Sequence, residues 1–397
     1  MDTFEQFFAA TELGWPLLLA LAWLVGELGH RWTKLPRISL YALVGFACAQ
    51  LGGTLLPAAG DGTGMLLANI SFGLILFEFG YRINLRWLRI NPWLGASGVF
   101  EAAVTGIAVY VLARAWGSPM FTSLLLASLS MSTSPAAVMR VVNEQRSAGQ
   151  VTERVLHLTA LNCVLSVFVF KVVVGFWAFD TSGNVWQAVS SSVLVLVGSA
   201  ALGIAFGSGM PALLRRLGPL GRDATVAFAV AVILLVGIAQ AFKLSPLLAA
   251  LAFGLVARHR RVALTQTQRN FGALGELLAV ALFTYTAMAV EWPRVMAGLG
   301  LALALVAVRL ATKVLCVTAL ARASGISWRK GALTGLALTP ISVFVILLLD
   351  QTRYLGIDLL DQLAPLAAAT LLLELAGPAV TQYALRRAGE CREPEEA

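Results

Sequence analysis

The chain has 397 residues, 58% of them hydrophobic and 13% charged, and a formal net charge of +8. That apolarity excludes an ordinary soluble domain, and the length suits about a dozen membrane spans. The positive balance does not mark a nucleic-acid partner, because the basic residues fall in alternate loops instead of one patch.

In chain order, residues 1 to 12 are acidic (Asp2, Glu5, Glu12) and lack a basic start, so the first apolar stretch is expected to be a span and not a cleaved signal. Apolar stretches long enough to cross follow at roughly 13–30, 37–57, 64–81, 93–116, 119–142, 152–179, 186–209, 222–242, 245–258, 271–290, 296–322, 329–350 and 362–386. The ninth is short, and Pro246 at its start suggests a tilted or partly re-entrant segment. No loop is longer than roughly a dozen residues, so residues 1–397 are expected to form a single transmembrane domain with no soluble regulatory domain.

Basic residues crowd one set of alternate loops, from Arg31, Lys34 and Arg37 to Arg386, Arg387 and Arg392. The opposite set carries only Arg114, Lys243, Arg294 and Arg353. The positive-inside rule makes the first set cytoplasmic, with the N-terminus outside and the C-terminus inside a multi-pass plasma (inner) membrane protein. The bilayer, with its anionic headgroups, is then the partner of this charge.

Two spans are broken by polar-proline tracts: Ser132, Thr133, Ser134 and Pro135 in the fifth, and Leu338, Thr339, Pro340, Ile341 and Ser342 in the twelfth. Lipid offers no hydrogen bonds, so such breaks persist only where protein or a watery cavity receives the freed backbone. Residues 1–181 and 222–390 can be laid over one another in opposite orientation, with 182–221 as connector, which sets one break opposite the other. The fold expected is an all-α polytopic bundle of two inverted repeats with broken, crossing helices and a site near the midplane.

Three cationic residues lie well inside predicted spans, away from the loops: Lys171, Arg309 and Lys313. A mid-span charge costs on the order of 2.5 to 3.5 kcal/mol on insertion scales, so Lys313 should face a partner or cavity. It could release a proton as a cation arrives, or simply lock the bundle by pairing with a carboxylate or a carbonyl. Glu101 and Glu374, partway into their helices, could supply a carboxylate for a cation or act as counter-ions to Arg309, Lys313 or Lys171. Glu27, Glu78 and Glu276, nearer the cytoplasmic ends, read as surface-paired, and Lys171 as snorkelling or paired. Ser132, Thr133, Ser134, Thr339 and Ser342 offer hydroxyls and unwound carbonyls to a hard cation, or to orphan backbone groups beside the two prolines. Cys48, Cys163, Cys316 and Cys391 are scattered, and no histidine cluster occurs, so no cofactor or zinc site is indicated. Without a nucleophile–base pair or metal-ligand spacing, an enzyme is not expected.

Several motifs occur in a specific order: Leu35-Pro36-Arg37-Ile38 before Leu43-Val44-Gly45-Phe46, the run from Leu74 to Leu85 (LILFEFGYRINL), Ser132 to Val138 (STSPAAV), and Gly335 to Pro340 (GLALTP). Ser245-Pro246-Leu247 with Phe253-Gly254-Leu255-Val256 adds a fifth. In these the chain resembles the monovalent cation:proton antiporter superfamily, the bacterial sodium/proton and potassium/proton exchangers. The resemblance implies a homodimer in which a dimerisation domain and a six-helix core domain move past one another. It also implies an Asn-Asp or Asp-Asp pair in the sixth span, where this chain has Asn162-Cys163, and a basic residue in the eleventh, best matched by Lys313. Asn162 offers a carbonyl oxygen to a cation or a hydrogen bond to a neighbouring helix. Cys163 is a poor substitute for a carboxylate and otherwise a small buried hydrophobe. The function implied is exchange of Na⁺ or K⁺ for protons. The missing Asp leaves open a transport-inactive scaffold or sensor, and Lys313 with the helix N-termini leaves open a same-fold transporter of an organic anion.

Overall fold

A computed structural model describes residues 14–50, 62–178, 185–216, 224–259, 265–288, 290, 292–341 and 363–391. Among the described residues there are helices and no strand. They run α1 Gly14–Thr33, α2 Arg37–Gln50, α3 Gly62–Arg82, α4 Leu85–Ile90, α5 Pro92–Ala115, α6 Met120–Ser130, α7 Pro135–Glu144 and α8 Gln150–Ala178. There follow α9 Val185–Arg216, α10 Ala224–Ala241, α11 Pro246–His259, α12 Thr265–Met288, α13 Trp292–Ala319, α14 Trp328–Ala337 and α15 Ala364–Arg387. Each predicted span coincides with one of these helices, or with a helix pair at the first break; the twelfth is followed only to Ile341, and Ser342 lies outside the described residues.

Exposed tryptophans mark the helix ends: Trp32 closes α1, Trp93 opens α5, Trp116 follows it, and Trp186, Trp292 and Trp328 open α9, α13 and α14. Indoles so placed suit the two interfaces of a bilayer, apolar on one side and wet on the other. The short α4 was not expected from the sequence. Its six residues leave no side chain buried, and Asn84 caps it by accepting from the Arg86 N–H at 3.1 Å. It reads as a surface helix, too brief for its periodicity to show in the sequence.

Contacts divide the helices into two bundles. α5, α6, α7, α8, α13, α14 and α15 pack mainly on one another, as do α1, α2, α3, α9, α10, α11 and α12. They meet where α2 touches α15, α3 touches α7 and α8, α8 touches α9, and α7 touches α12. α11 has 14 residues, about 21 Å at 1.5 Å per residue, and so falls short of a full crossing. It is gripped through glycines. A Cβ on Gly254 would collide with the Phe77 carbonyl of α3, one on Gly80 with the Leu251 carbonyl of α11, and one on Gly203 of α9 with the Ala249 carbonyl. Small residues let backbones approach this closely, which is how helices associate where lipid supplies no hydrophobic drive.

Glu78, expected at the surface, is buried. It pairs with Arg140 at 2.9 Å and accepts from Asn143 Nδ2 at 3.1 Å, joining α3 of one bundle to α7 of the other. Position near a helix end suggested exposure, but α7 is a half-helix and brings its basic side chain inward. Glu27 does pair near the surface, with Arg31 and Arg37, and Glu276 is exposed.

The two breaks cross. α6 ends at Ser130 and α7 begins at Pro135, with Ser134 as its N-cap accepting from the Ala137 N–H at 3.2 Å. The Ser134 N–H donates to the Pro340 carbonyl at 3.0 Å, and Thr133 Oγ1 donates to the Leu338 carbonyl at 3.3 Å. Arg309 of α13 holds the crossing from below. Its guanidinium, 1% exposed, donates to the carbonyls of Ser130 at 2.9 Å, Ser132 at 2.6 Å, Thr339 at 2.5 Å, Pro340 at 3.3 Å and Leu338 at 3.4 Å. A rigid fork of donors suits this array better than an ammonium would. The orphan carbonyls that unwinding creates are thus satisfied by one side chain.

Two outcomes follow. Arg309→Ala strands those carbonyls, each costing about 1–3 kcal/mol when unsatisfied, so the purified variant should melt well below the parent in detergent; equal melting temperatures would contradict the clamp. Gly254→Ala should cost about 1–3 kcal/mol by forcing α3 and α11 apart, read as a lower melting temperature, and an unchanged one would refute the close crossing.

Candidate exchange site

One helical turn beyond Arg309, α13 presents Lys313 to the same crossing. Its side chain is 0% exposed, and Nζ donates to Glu101 Oε1 at 2.5 Å and to the Met131 carbonyl at 3.3 Å. Glu101 comes from α5 and is equally buried. Its second oxygen accepts from Asn162 Nδ2 of α8 at 2.8 Å, while Thr105, one turn along α5, donates to Oε1 at 3.2 Å. Thr105 also lies 3.2 Å from the Thr312 hydroxyl. The carboxylate therefore has three partners from three helices, one of them charged. Breaking a buried ion pair by removing one partner is expensive, on the order of 3–5 kcal/mol, because the other charge is left uncompensated.

Asn162 links this pair to the first break, for Nδ2 also donates to Thr133 Oγ1 at 3.3 Å. Its Oδ1 is buried with no hydrogen-bond partner. Reversing the amide would turn that oxygen toward the carboxylate and lose the bond to Glu101, so the orientation is set by charge. The arrangement leaves one buried carbonyl oxygen unsatisfied on an amide whose nitrogen faces a carboxylate and a hydroxyl. Carboxylate, hydroxyl and amide oxygens are all hard ligands of the kind an alkali cation takes.

Of the residues picked out in the sequence, Glu101, Lys313, Asn162, Thr133 and Cys163 come together. Cys163 Sγ lies 3.1 Å from the Thr133 carbonyl, which its thiol donates to, and its side chain is wholly buried. Ser132, Ser134 and Thr339 stand at the crossing but are otherwise engaged. Ser132 Oγ donates to the Leu129 carbonyl at 2.7 Å, Ser134 caps α7, and the Thr339 hydroxyl donates to the Leu336 carbonyl. Their unwound carbonyls, expected as cation ligands, are committed to Arg309 in the case of Ser132 and Thr339. Pro135 opens α7, and Pro340 lies in the unwound tract that follows α14. Glu374 does not join the site and bonds to Thr286 of α12 instead. Lys171 is half-buried and has no ion-pair partner among the described residues.

Arg309 and Thr105 were not singled out for these roles from the sequence. Arg309 was visible as a mid-span charge one turn from Lys313, but nothing local separates a clamp from a switch. Thr105 could have been found as the i+4 neighbour of an intramembrane glutamate.

The sequence matches the family model described as "Sodium/hydrogen exchanger, transmembrane" over residues 17–384. Among curated proteins no sequence match was found. Two solved structures of the sodium proton antiporter MjNhaP1 from Methanocaldococcus jannaschii share the fold. One, at pH 8, has 17% identity and a TM-score of 0.66 over 96% of each chain. The other, an electron-microscopy map, has 16% identity and a TM-score of 0.68, over 95% of this chain and 98% of that one. Identity so low speaks for the fold alone, whereas the family match covers nearly every described helix. The chain belongs to the sodium/hydrogen exchanger family, as a multi-pass membrane protein.

Proposed function

We propose that the protein exchanges a monovalent cation, Na⁺ or K⁺, for protons, with Glu101 as the cation's carboxylate and Lys313 as the proton carrier. The observation that carries this reading is the ion pair at 2.5 Å between Lys313 Nζ and Glu101 Oε1, with Asn162 on the second carboxylate oxygen. In the paired state the ammonium occupies the position a cation would take. A cation entering against Glu101 and Thr133 Oγ1, with the Asn162 amide turned so that Oδ1 faces it, displaces the ammonium, and a lysine deprived of its counter-ion in a dry site gives up its proton. On the other face of the membrane, protonation of Lys313 restores the pair and expels the cation.

The site's net charge is the same in both states: ammonium and carboxylate in one, cation, carboxylate and neutral amine in the other. This switch alone therefore moves one proton for one cation. Constant charge also keeps the solvation cost of crossing low in both directions. The missing sixth-span Asp is no obstacle on this view, because Glu101 reaches the same place from α5. A transport-inactive scaffold would have no use for a complete, unspent site. An organic anion would meet a carboxylate and find Lys313 already neutralised.

The remaining expectations belong to the same proposal. The repeats span residues 1–181 and 222–390 with a connector at 182–221, the basic loops face the cytoplasm with the C-terminus, and the protein works as a homodimer in the plasma membrane. The bundle of α5–α8 and α13–α15 is the moving core, since both breaks and the ion pair lie within it.

In liposomes carrying a pH-sensitive dye, addition of Na⁺ or K⁺ should release protons from the protein-bearing vesicles. Glu101→Gln and Lys313→Ala should each lower that flux by about tenfold or more, equivalent to ~1.4 kcal/mol or above. Cys163→Ala should retain it, because the thiol donates only to a backbone carbonyl. Flux absent from the natural chain and present only in Cys163→Asp would overturn the assignment of Glu101.

A further inference from the structure

α15 carries a second carboxylic acid, which the exchange site does not use. Glu374 lies near the middle of the helix and is 3% exposed. Its Oε1 accepts a hydrogen bond from Thr286 Oγ1 at 2.9 Å, and Thr286 belongs to α12, so the bond crosses from one bundle to the other. Oε2 is buried with no hydrogen-bond partner, and so are the hydroxyls of Thr370, one turn earlier on α15, and Thr284 of α12.

Among the described residues, the charged side chains on the surrounding helices are engaged elsewhere or exposed. On α13, Arg309 holds the break carbonyls and Lys313 holds Glu101. On α7, Arg140 pairs with Glu78, and Glu144 with His30 and Arg37. On α2, Arg37 also pairs with Glu27, Tyr41 packs on Gly26, and Cys48 is a free, buried cysteine. At the start of α14, Arg329 bonds to the Arg387 carbonyl and Lys330 to Gln150. On α12, Tyr285 stacks near Trp15 and Glu276 is exposed, ten residues or about 15 Å along the helix from Thr286. On α15 itself, Arg386 bonds to Gln145 and Arg387 lies over Tyr383. Among the described residues, then, no cation stands against Glu374. An ion at membrane depth without a counter-charge is costly, whereas a protonated carboxyl needs only hydrogen bonds.

The position also connects to the moving parts. Thr381, two turns further along α15, donates to the Ala337 carbonyl at 3.0 Å, and a Cβ on Gly377 would strike Pro340. α15 thus leans on the second break while Glu374 leans on the opposite bundle. Relative motion of two bundles is the usual route to alternating access.

We propose that Glu374 is a second proton-binding residue of this protein: its carboxyl holds a proton while closed against Thr286 and yields it to water when α15 shifts along α12. This rests on the exchange reading above and deepens it. A proton taken up here from one face of the membrane and yielded to the other adds to the one exchanged at Lys313, so a cycle moves two protons against one cation and carries net charge.

The test uses the full chain in two measurements. In proteoliposomes loaded with Na⁺ at an imposed membrane potential, proton movement by the parent should respond to the potential. In Glu374→Gln, which mimics the protonated acid, the response should disappear. Infrared difference spectra of the purified protein between acid and alkaline pH, recorded without transport, should show a protonated-carboxyl band in the parent that Glu374→Gln lacks. Identical bands in parent and variant, or an identical potential response in parent and variant that both transport, overturn the proposal. If no cation-dependent proton movement is seen in the parent while the Glu374-dependent band is present, the exchange reading falls and the proton site stands.

Discussion

The ion pair between Lys313 and Glu101 sets the terms for everything around it. Two opposite charges at membrane depth are tolerable only as partners with their remaining hydrogen-bonding capacity met, and each is recruited from a different helix. Asn162, Thr105 and the Met131 carbonyl meet that need, which ties α5, α8, α13 and the first break into one unit. Whatever displaces the lysine must bring its own positive charge to the same carboxylate. In the proposed exchange that requirement couples a cation to a proton, and it follows from electrostatics without any appeal to a particular residue at the sixth-span position.

Two cationic side chains one turn apart on α13 divide the work. Arg309 has a planar fork that stays charged and matches several carbonyls at once, so it serves to hold the crossed backbone in place. Lys313 has a single compact ammonium with one carboxylate and one carbonyl, and can leave both. The clamp spends the carbonyls that might otherwise have served as cation ligands. The proposed site is left to side-chain oxygens, among which Asn162 Oδ1 is buried with no hydrogen-bond partner.

Much of this was legible in the sequence, for reasons that can be named. Spans could be read because lipid demands long apolar helices, and both breaks because a run of polar residues against a proline leaves backbone groups that need partners other than lipid. The cost of a mid-span charge pointed at Lys313, Arg309 and Glu101 before any coordinates. Their pairing was not legible, since Glu101 and Lys313 are 212 residues apart and nothing local chooses Glu101 over Glu374. Glu78 looked exposed because depth along a helix was the only guide, and its partner Arg140 arrives from a half-helix whose packing is purely tertiary. From the sequence the hydroxyls of Ser132, Ser134 and Thr339 could serve a cation or the backbone, and in the structure they bond to backbone groups, a choice that spacing alone does not settle.

Glu101 and Glu374 differ in what surrounds them, and so in what they can do. One faces a lysine and two other donors inside a single bundle, whereas the other faces a hydroxyl across a boundary. The central claim concerns the first, and it is tested most directly by titrating the purified protein with Na⁺ and with K⁺ in a calorimeter, in buffers that differ in ionisation heat. The account predicts that binding of the transported cation releases a proton to the buffer, and that Lys313→Ala binds the cation without that release. Cation binding by the natural chain with no proton set free would contradict it.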